Sequence, residues 1–373
     1  MITSLEIQNF KGFGKQEIPF GGITLLSGLN GSGKSTIIQA LLLLRQSYDQ
    51  RFLPKRGLLL NGPLVEIGTA QDALYDAAET EAICFKVRLQ SGIDASWSFV
   101  YDPSADVMGS ASNNDDEGIY DSELFSESFQ YLSAERIGPR AAFTMADYVV
   151  KRQRQLGTRG EYTAHFLAAY GKDPLAIPEL IHPDASSSGL LHQTEAWLQS
   201  VSPGVRLYVT PFQGIDTVQL EYSFITGDDE SNRYRPTNVG FGLTYTLPVV
   251  VAILAAKPGS LLLIENPEAH LHGKGQRVLA ELAALAAEHG VQVVLETHSD
   301  HVLNGIRVAV HSGKVKHETV MVHFFERRRV DSGAGHAVVT PTIDDHGRIR
   351  GAPSGFFDEW DRSLDELIAP KKP

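Results

Sequence analysis

Cysteine is nearly absent: Cys84 is the only one in 373 residues. No intrachain disulfide can form, which excludes a disulfide-stapled scaffold and points to a reducing cytoplasm. Basic residues are also scarce, 33 Lys and Arg against 45 Asp and Glu, for a formal net charge of −12. A dedicated nucleic-acid coat is ordinarily basic, so that class is disfavoured unless a local stripe carries the contact. Long apolar runs are missing. The longest, Leu243 to Ala256, is interrupted by Pro248 and falls short of the roughly 20 residues of a membrane span. The opening Met1-Ile-Thr-Ser-Leu-Glu-Ile-Gln8 lacks the basic flank and apolar core of a signal peptide. No heptad pattern persists, which excludes a long coiled-coil arm. There is no Ser-His-Asp set with a supporting motif, no zinc pattern, and no cluster of acids after Thr319 that would suggest a nuclease.

What remains has ordinary globular proportions, 42% hydrophobic and 21% charged. The length fits two domains, or one large domain with insertions. Residues 2–8 alternate as a strand, and Ile23–Ser27 reads as a buried one followed by a Gly-rich turn and a helix over Ser35–Leu53. Extended segments are expected at 81–90 and 95–101. The stretch Ser104–Gly118 is small, polar and acidic and reads as a mobile loop. Residues 120–200 read as mainly helical, with strands at Arg206–Thr210 and Thr217–Ile225. The last third alternates: strand Ser260–Ile264, helix 274–289, strand Val291–Glu296, helix 300–310, strand Thr319–Phe325 and a terminal helix over 356–368. That order predicts a parallel sheet covered on both faces.

Gly28-Leu-Asn-Gly-Ser-Gly-Lys-Ser35 fits G-x-x-x-x-G-K-[ST] and lies where the chemistry requires, between a strand and a helix. Glycines let the backbone wrap so that successive N–H groups converge on phosphate at a helix N-terminus. Asn30, Gly31, Ser32, Gly33, Lys34, Ser35 and Thr36 are therefore the expected binding residues. Lys34 serves the outer phosphates and Ser35 serves Mg²⁺. A second anchor is expected at the end of a neighbouring strand, and Ser260-Leu-Leu-Leu-Ile-Glu265 supplies one. Val291–Glu296 runs into Thr297-His298-Ser299, where His298 can hold water or sense the terminal phosphate.

Together these residues resemble the ATP-binding-cassette ATPases of the RecF, SMC and OLD group, over roughly 1–75 and 235–330. Leu5-Glu-Ile-Gln-Asn-Phe-Lys-Gly-Phe13 is similar to that group's first strand and turn, with Asn9 and Lys11 near the nucleotide. Glu265-Asn-Pro-Glu-Ala-His-Leu-His272 resembles its Walker B and D-loop, and Thr297-His298-Ser299 its switch histidine. Tyr131–Arg140, Asn238-Val-Gly-Phe-Gly242 and Gly355–Trp360 resemble a compact bacterial subfamily with a small C-terminal domain, often found in phage-defence or toxin-like gene pairs.

The resemblance implies an α/β P-loop NTPase of ABC-head type, with a mainly helical insertion and a small C-terminal cap. Residues 1–105 and 236–345 would form the nucleotide-binding domain, 106–235 the insertion and 346–373 the cap. It implies ATP and Mg²⁺ as cofactors, with Ser35 and Glu265 on the metal and Lys34, Glu265, Glu268 and His298 in catalysis. It also implies a homodimer or higher homo-oligomer in which Gly240 and Gly242 of one subunit meet ATP on the other, and an effector partner, with a nuclease among the candidates. Two departures matter. Gly240 replaces the usual Ser, and Asn266 occupies the general-base position, so Glu268 or His298 would have to help or hydrolysis is slow. Two alternatives follow: a slowly hydrolysing ATP-gated scaffold, and a RecF-like DNA-repair ATPase. Gln71 is a loose match for the glutamine after the first lobe. His270 and His272 read as D-loop rather than metal ligands. Arg136 and Arg140 suit an interface, a phosphate contact or a structural salt bridge, while the Lys151–Arg154 run with Arg159 and the Arg327–Arg329 run suit a solvated face or nucleic-acid phosphates.

Overall fold

The protein is described here from a computed structural model, which covers residues 1–114, 116–330 and 333–369. Its centre is a six-stranded sheet. Five strands run parallel in the order Val320–Val330, Ile23–Gly28, Gln292–Glu296, Leu261–Glu265 and Phe129–Leu132, and Gly333–Val339 adds an antiparallel edge. Parallel strands bury both faces, which is why they read as unbroken apolar runs. Leu26, Leu261, Leu263, Val294 and Phe325 enter one core. Their neighbours Leu25, Leu262, Ile264, Val293, Leu295 and Phe324 enter the other.

The first core is closed by the helix Lys34–Asp49 and by an antiparallel sheet. That sheet runs Phe13–Pro19, Ile2–Phe10, Ala82–Leu89, Asp94–Val100, Val107–Asn114 and Gly57–Leu59. The second core is closed by the helices Phe241–Ala255, Gly273–Glu288 and Asp300–His311. Among the described residues, no helix is long and apolar enough to cross a membrane. The apolar stretch around Pro248 forms the interior of the helix Phe241–Ala255.

Two expectations are corrected. The acidic stretch is not a free loop, because Val107–Asn114 pairs with Asp94–Val100 and with Gly57–Leu59. Met108 is fully buried there and anchors the strand, while backbone pairing tolerates the small polar residues around it. Asp115 lies outside the described residues. The segment 106–235 is also not mainly helical. It contains the helices Thr163–Tyr170 and Leu190–Val201. It also contains a four-stranded sheet built on Val205–Phe212 and Thr217–Thr226. Hydrophobic residues spaced for a helix face are here spread over strands and irregular segments that pack on the second core. Phe129–Leu132 joins the parallel sheet itself. The terminal helix spans Glu359–Ile368.

Candidate nucleotide site

The loop Gly28–Ser35 lies at the C-terminal end of the parallel sheet and opens the helix Lys34–Asp49. Two of its glycines have steric reasons. Gly28 has φ of 137°, and a Cβ there would lie 2.2 Å from the Phe325 carbonyl oxygen. Gly33 has φ of 98°, and a Cβ would meet the Phe13 ring at 2.7 Å. Asn30 and Gly31 are exposed at the loop's crown, while Ser32, Lys34 and Thr36 are buried. Lys34 folds back on the loop, donating to the carbonyls of Gly28 at 2.9 Å and Leu29 at 2.8 Å. Burial lowers its pKa, and Glu296 partly offsets this.

Ser35 does not bond to Glu265. Its hydroxyl donates to Oε1 of Glu296 at 2.8 Å. Glu265 and Glu296 are register partners on neighbouring parallel strands, but their carboxylates turn apart. Glu265 accepts from the Tyr131 hydroxyl at 3.0 Å and from the Ala134 N–H at 3.1 Å. Glu296 is 6% exposed, and burial, with smaller contributions from Glu265 and Glu268, raises its pKa to about 7 against the lowering effect of Ser35. From the sequence Glu296 is only the end of a strand. The signal was there, since Leu-Leu-Leu-Ile-Glu265 and Val-Val-Leu-Glu296 are two apolar runs each closed by a carboxylate.

Glu268 and His298 are brought together: the His298 N–H donates to Oε1 of Glu268 at 2.9 Å. Desolvation and the nearby Lys34 charge hold the His298 imidazole below its usual range, so it is neutral at pH 7. Asn266 sits in the left-handed region with φ of 44°. Arg136, 1% exposed, holds that turn by donating to the carbonyls of Glu265 and Asn266. Arg136 is thus a positioning residue beneath the acids rather than a surface group. Its burial lowers its pKa to about 10, against the raising effect of Glu268 and Glu265.

Whether these residues suit a magnesium nucleotide can be judged from what they leave unpaired. Ser32 Oγ, Asn266 Oδ1, Glu268 Oε2 and Glu296 Oε2 are buried and have no hydrogen-bond partner. Buried polar atoms ordinarily find partners, so four orphans around one loop mark a place for a polar ligand. No preassembled cluster of three or more His, Cys, Asp or Glu exists among the described residues. That suits Mg²⁺, which takes few protein ligands and completes its shell with water and phosphate. The residues fit the group.

Gly240 and Gly242 lie elsewhere. Gly240 caps the helix Phe241–Ala255 and is exposed. Gly242 packs on the D-loop segment, where a Cβ would come within 2.7 Å of the His270 carbonyl oxygen. His270 also contacts the rings of Phe241 at 5.6 Å and Tyr245 at 4.7 Å. No described contact joins these glycines to the loop Gly28–Ser35 within the chain.

The remaining basic groups are largely engaged. Lys11 donates to Gln39, and Asn9 donates to Thr80 and Ala82. Lys151 pairs with Asp147, Arg159 pairs with Glu135, and Arg154 stacks on Tyr170. Arg327 Nε donates to the Gly31 carbonyl at 2.9 Å, while the side chains of Arg328, Arg329 and Trp360 lie outside the described residues. Gln71 is exposed on the short helix Ala70–Ala73. The fold does assemble Ser200, His182 and Asp184. However, His182 Nδ1 accepts from the Asp184 N–H at 3.2 Å, so Nε2 carries the proton and donates to Ser200 at 3.1 Å. That tautomer cannot take a proton from the serine.

Residues 23–304 match the family described as "AAA domain, putative AbiEii toxin, Type IV TA system". Residues 315–367 match a family described as a protein of unknown function, DUF3696. Among solved structures, the chain is similar to an SMC head bound to the C-winged helix domain of ScpA. That likeness has 15% identity and a TM-score of 0.54, over 91% of this chain and 97% of the other. It is also similar to an SMC head domain with an extended coiled coil bound to the C-terminal domain of ScpA, derived from Pyrococcus furiosus. There the identity is 13% and the TM-score 0.52, over 99% of each chain. No curated protein matches the chain. At these identities the likeness shows the fold, that of an ABC-ATPase head.

Proposed function

The chain belongs to the AAA-domain family matched over residues 23–304, and from that premise we propose that it is a Mg²⁺-dependent ATP hydrolase. In this reading two heads close on shared ATP and thereby control a partner effector. The observation that carries it is the set of unpaired buried atoms around the P-loop, Ser32 Oγ, Asn266 Oδ1, Glu268 Oε2 and Glu296 Oε2. The loop amides would hold the phosphates, and Lys34 would leave the carbonyls of Gly28 and Leu29 to neutralise the outer ones. Ser35 and a carboxylate at the strand ends would hold Mg²⁺, which would supply charge neutralisation on the transferred phosphoryl group. His298 is neutral and can accept a hydrogen bond from water, with Glu268 fixing its backbone.

Homodimerisation is supported by exposed apolar side chains at both halves of the shared site, Leu29 in the loop and Phe241 at the helix N-terminus. The N–H groups that open the helix Phe241–Ala255, apart from that of Leu243, which donates to the Gly240 carbonyl at 3.3 Å, can meet a phosphate of the other subunit. The solved SMC heads are bound by domains of ScpA, and by analogy an effector protein docks on this head. The family's description, "putative AbiEii toxin, Type IV TA system", suits a chain that works beside a paired protein, and we place that pair in phage defence. The lone cysteine suits a cytoplasmic setting.

A second reading, an ATP-gated switch with little turnover, is favoured by Asn266, which cannot accept a proton. Phosphate release from Mg·ATP separates the two. Turnover by the native chain, falling to background in Lys34→Ala, supports the hydrolase. Activity appearing only in Asn266→Glu selects the switch. Silence from all three overturns the hydrolase, and failure of the native chain to bind ATP overturns the switch as well.

A further inference from the structure

We infer that Glu296, rather than Glu265, is the carboxylate that anchors Mg²⁺ together with Ser35. The inference rests on the nucleotide-site reading above and deepens it. The strand Gln292–Glu296 lies between the P-loop strand and the strand ending in Glu265, with Glu296 in register with Leu26. Adjacent strands are about 4.8 Å apart, so Glu296 starts one strand from the loop and Glu265 starts two strands away. Side-chain direction widens that gap. Glu265 turns to the far side and has both oxygens engaged, by the Tyr131 hydroxyl and the Ala134 N–H. Glu296 turns to the loop, takes the Ser35 hydroxyl on Oε1, and keeps Oε2 buried and unpaired.

In a magnesium site the serine oxygen must give a lone pair to the ion, so its proton needs an acceptor beside it. Glu296 Oε1 is that acceptor. Its Oε2, buried and unpaired, would then be left to hold the ion or one of its waters. Mg²⁺ keeps several waters and needs only one or two carboxylates, and Glu296, already bonded to Ser35, would supply one. Glu265 would first have to break two hydrogen bonds. Its assigned role is therefore to tie the end of its strand to Tyr131 and Ala134, holding the turn that carries Asn266 and Glu268.

The test is binding of a fluorescent ATP analogue to the full chain with Mg²⁺ and with EDTA, in native, Glu296→Gln and Glu265→Gln proteins. Thermal melts check that each variant folds. Electron paramagnetic resonance of Mn²⁺ added with ATP gives a second readout of metal capture. The native chain is expected to bind more tightly with Mg²⁺. Glu296→Gln should lose at least tenfold of that enhancement and release Mn²⁺, whereas Glu265→Gln should keep the enhancement within about threefold. The reverse pattern, or equal loss in both variants, overturns the assignment. A native chain that binds no analogue under either condition overturns the nucleotide-site reading itself. Native binding with no Mg²⁺ enhancement leaves that site standing and sinks only the metal role of Glu296.

Discussion

The two flanks of the P-loop are built from the same sheet yet are bonded in opposite ways. On the C-terminal hairpin side, His323 is buried with both ring nitrogens engaged, by Thr340 at 2.9 Å and the Pro19 carbonyl at 2.7 Å. Ser27 donates to the His323 carbonyl at 3.0 Å, and Arg327 caps Gly31. His336 Nδ1, wedged against Gly12 and Gly33, is buried without a hydrogen-bond partner. On the acidic side, Asn266, Glu268 and Glu296 each keep a buried atom without a partner. The difference teaches where architecture ends and ligand chemistry begins. Satisfied polar groups lock strands together, and unsatisfied ones hold free energy that a ligand can release.

The largest way to break this contrast is to remove the support beneath the acids. Arg136→Met should destabilise the fold by about 3 kcal/mol, because it strips the charge-assisted bonds from two partly buried carbonyls and takes away the buried cation beside Glu265 and Glu268. Urea unfolding measures this, and a loss below about 1 kcal/mol would mean that the acidic side relaxes freely.

Acid–base behaviour sharpens the comparison, since the two flanks should respond with opposite sign. Glu296 is raised to about 7 by burial, above the roughly 4.3 of an unfolded glutamate. The native state therefore holds the proton more tightly, and stability falls as pH rises between those values. His323 is pushed down to about 4 by burial, against a hydrogen bond to Pro19 that raises it. There the unfolded state binds the proton more tightly, so stability falls as pH drops from about 6.5 to 4. Each effect is at most about 4 kcal/mol. Urea midpoints from pH 4 to 8 should lose the first slope in Glu296→Gln and the second in His323→Gln. Unchanged slopes would show that other groups carry them.

The smallest effect is expected at the exposed guanidinium. Arg327→Ala removes a single bond to Gly31 and should cost about 1 kcal/mol or less. Nucleotide affinity should change by less than about threefold in an analogue titration. A larger loss would make the hairpin a direct part of the site.

Much of this was legible in order along the chain. The P-loop is contiguous, so its glycines, lysine and serine announce strand, turn and helix together. The strands ending at Glu265 and Glu296 were equally plain as apolar runs. Which carboxylate reaches Ser35 was not legible, because it depends on which strands lie side by side and which way each terminal side chain turns. Sequence alone suits Arg136 to an interface, a phosphate or a salt bridge, since nothing local reveals that Glu265 and Asn266 fold over it. Val107–Asn114 was missed for a related reason: its order comes from partners at 57–59 and 94–100 and from buried Met108, not from its own polar composition.

The placement of the P-loop strand has a consequence in time. Ile23–Gly28 hydrogen-bonds to Gln292–Glu296 on one side and Val320–Val330 on the other, and the bond from Ser27 to His323 spans 296 positions. At about 5–20 residues per second of synthesis, an emerging chain carries this apolar strand for roughly 15–60 s before both neighbours exist. The antiparallel sheet can form early from residues 2–114, but the strand at the heart of the site must wait. Loop closure over such distances is slow, so the nucleotide pocket is among the last parts of the molecule to be completed, and a prematurely truncated chain would expose Leu25 and Leu26 to aggregation rather than to ATP.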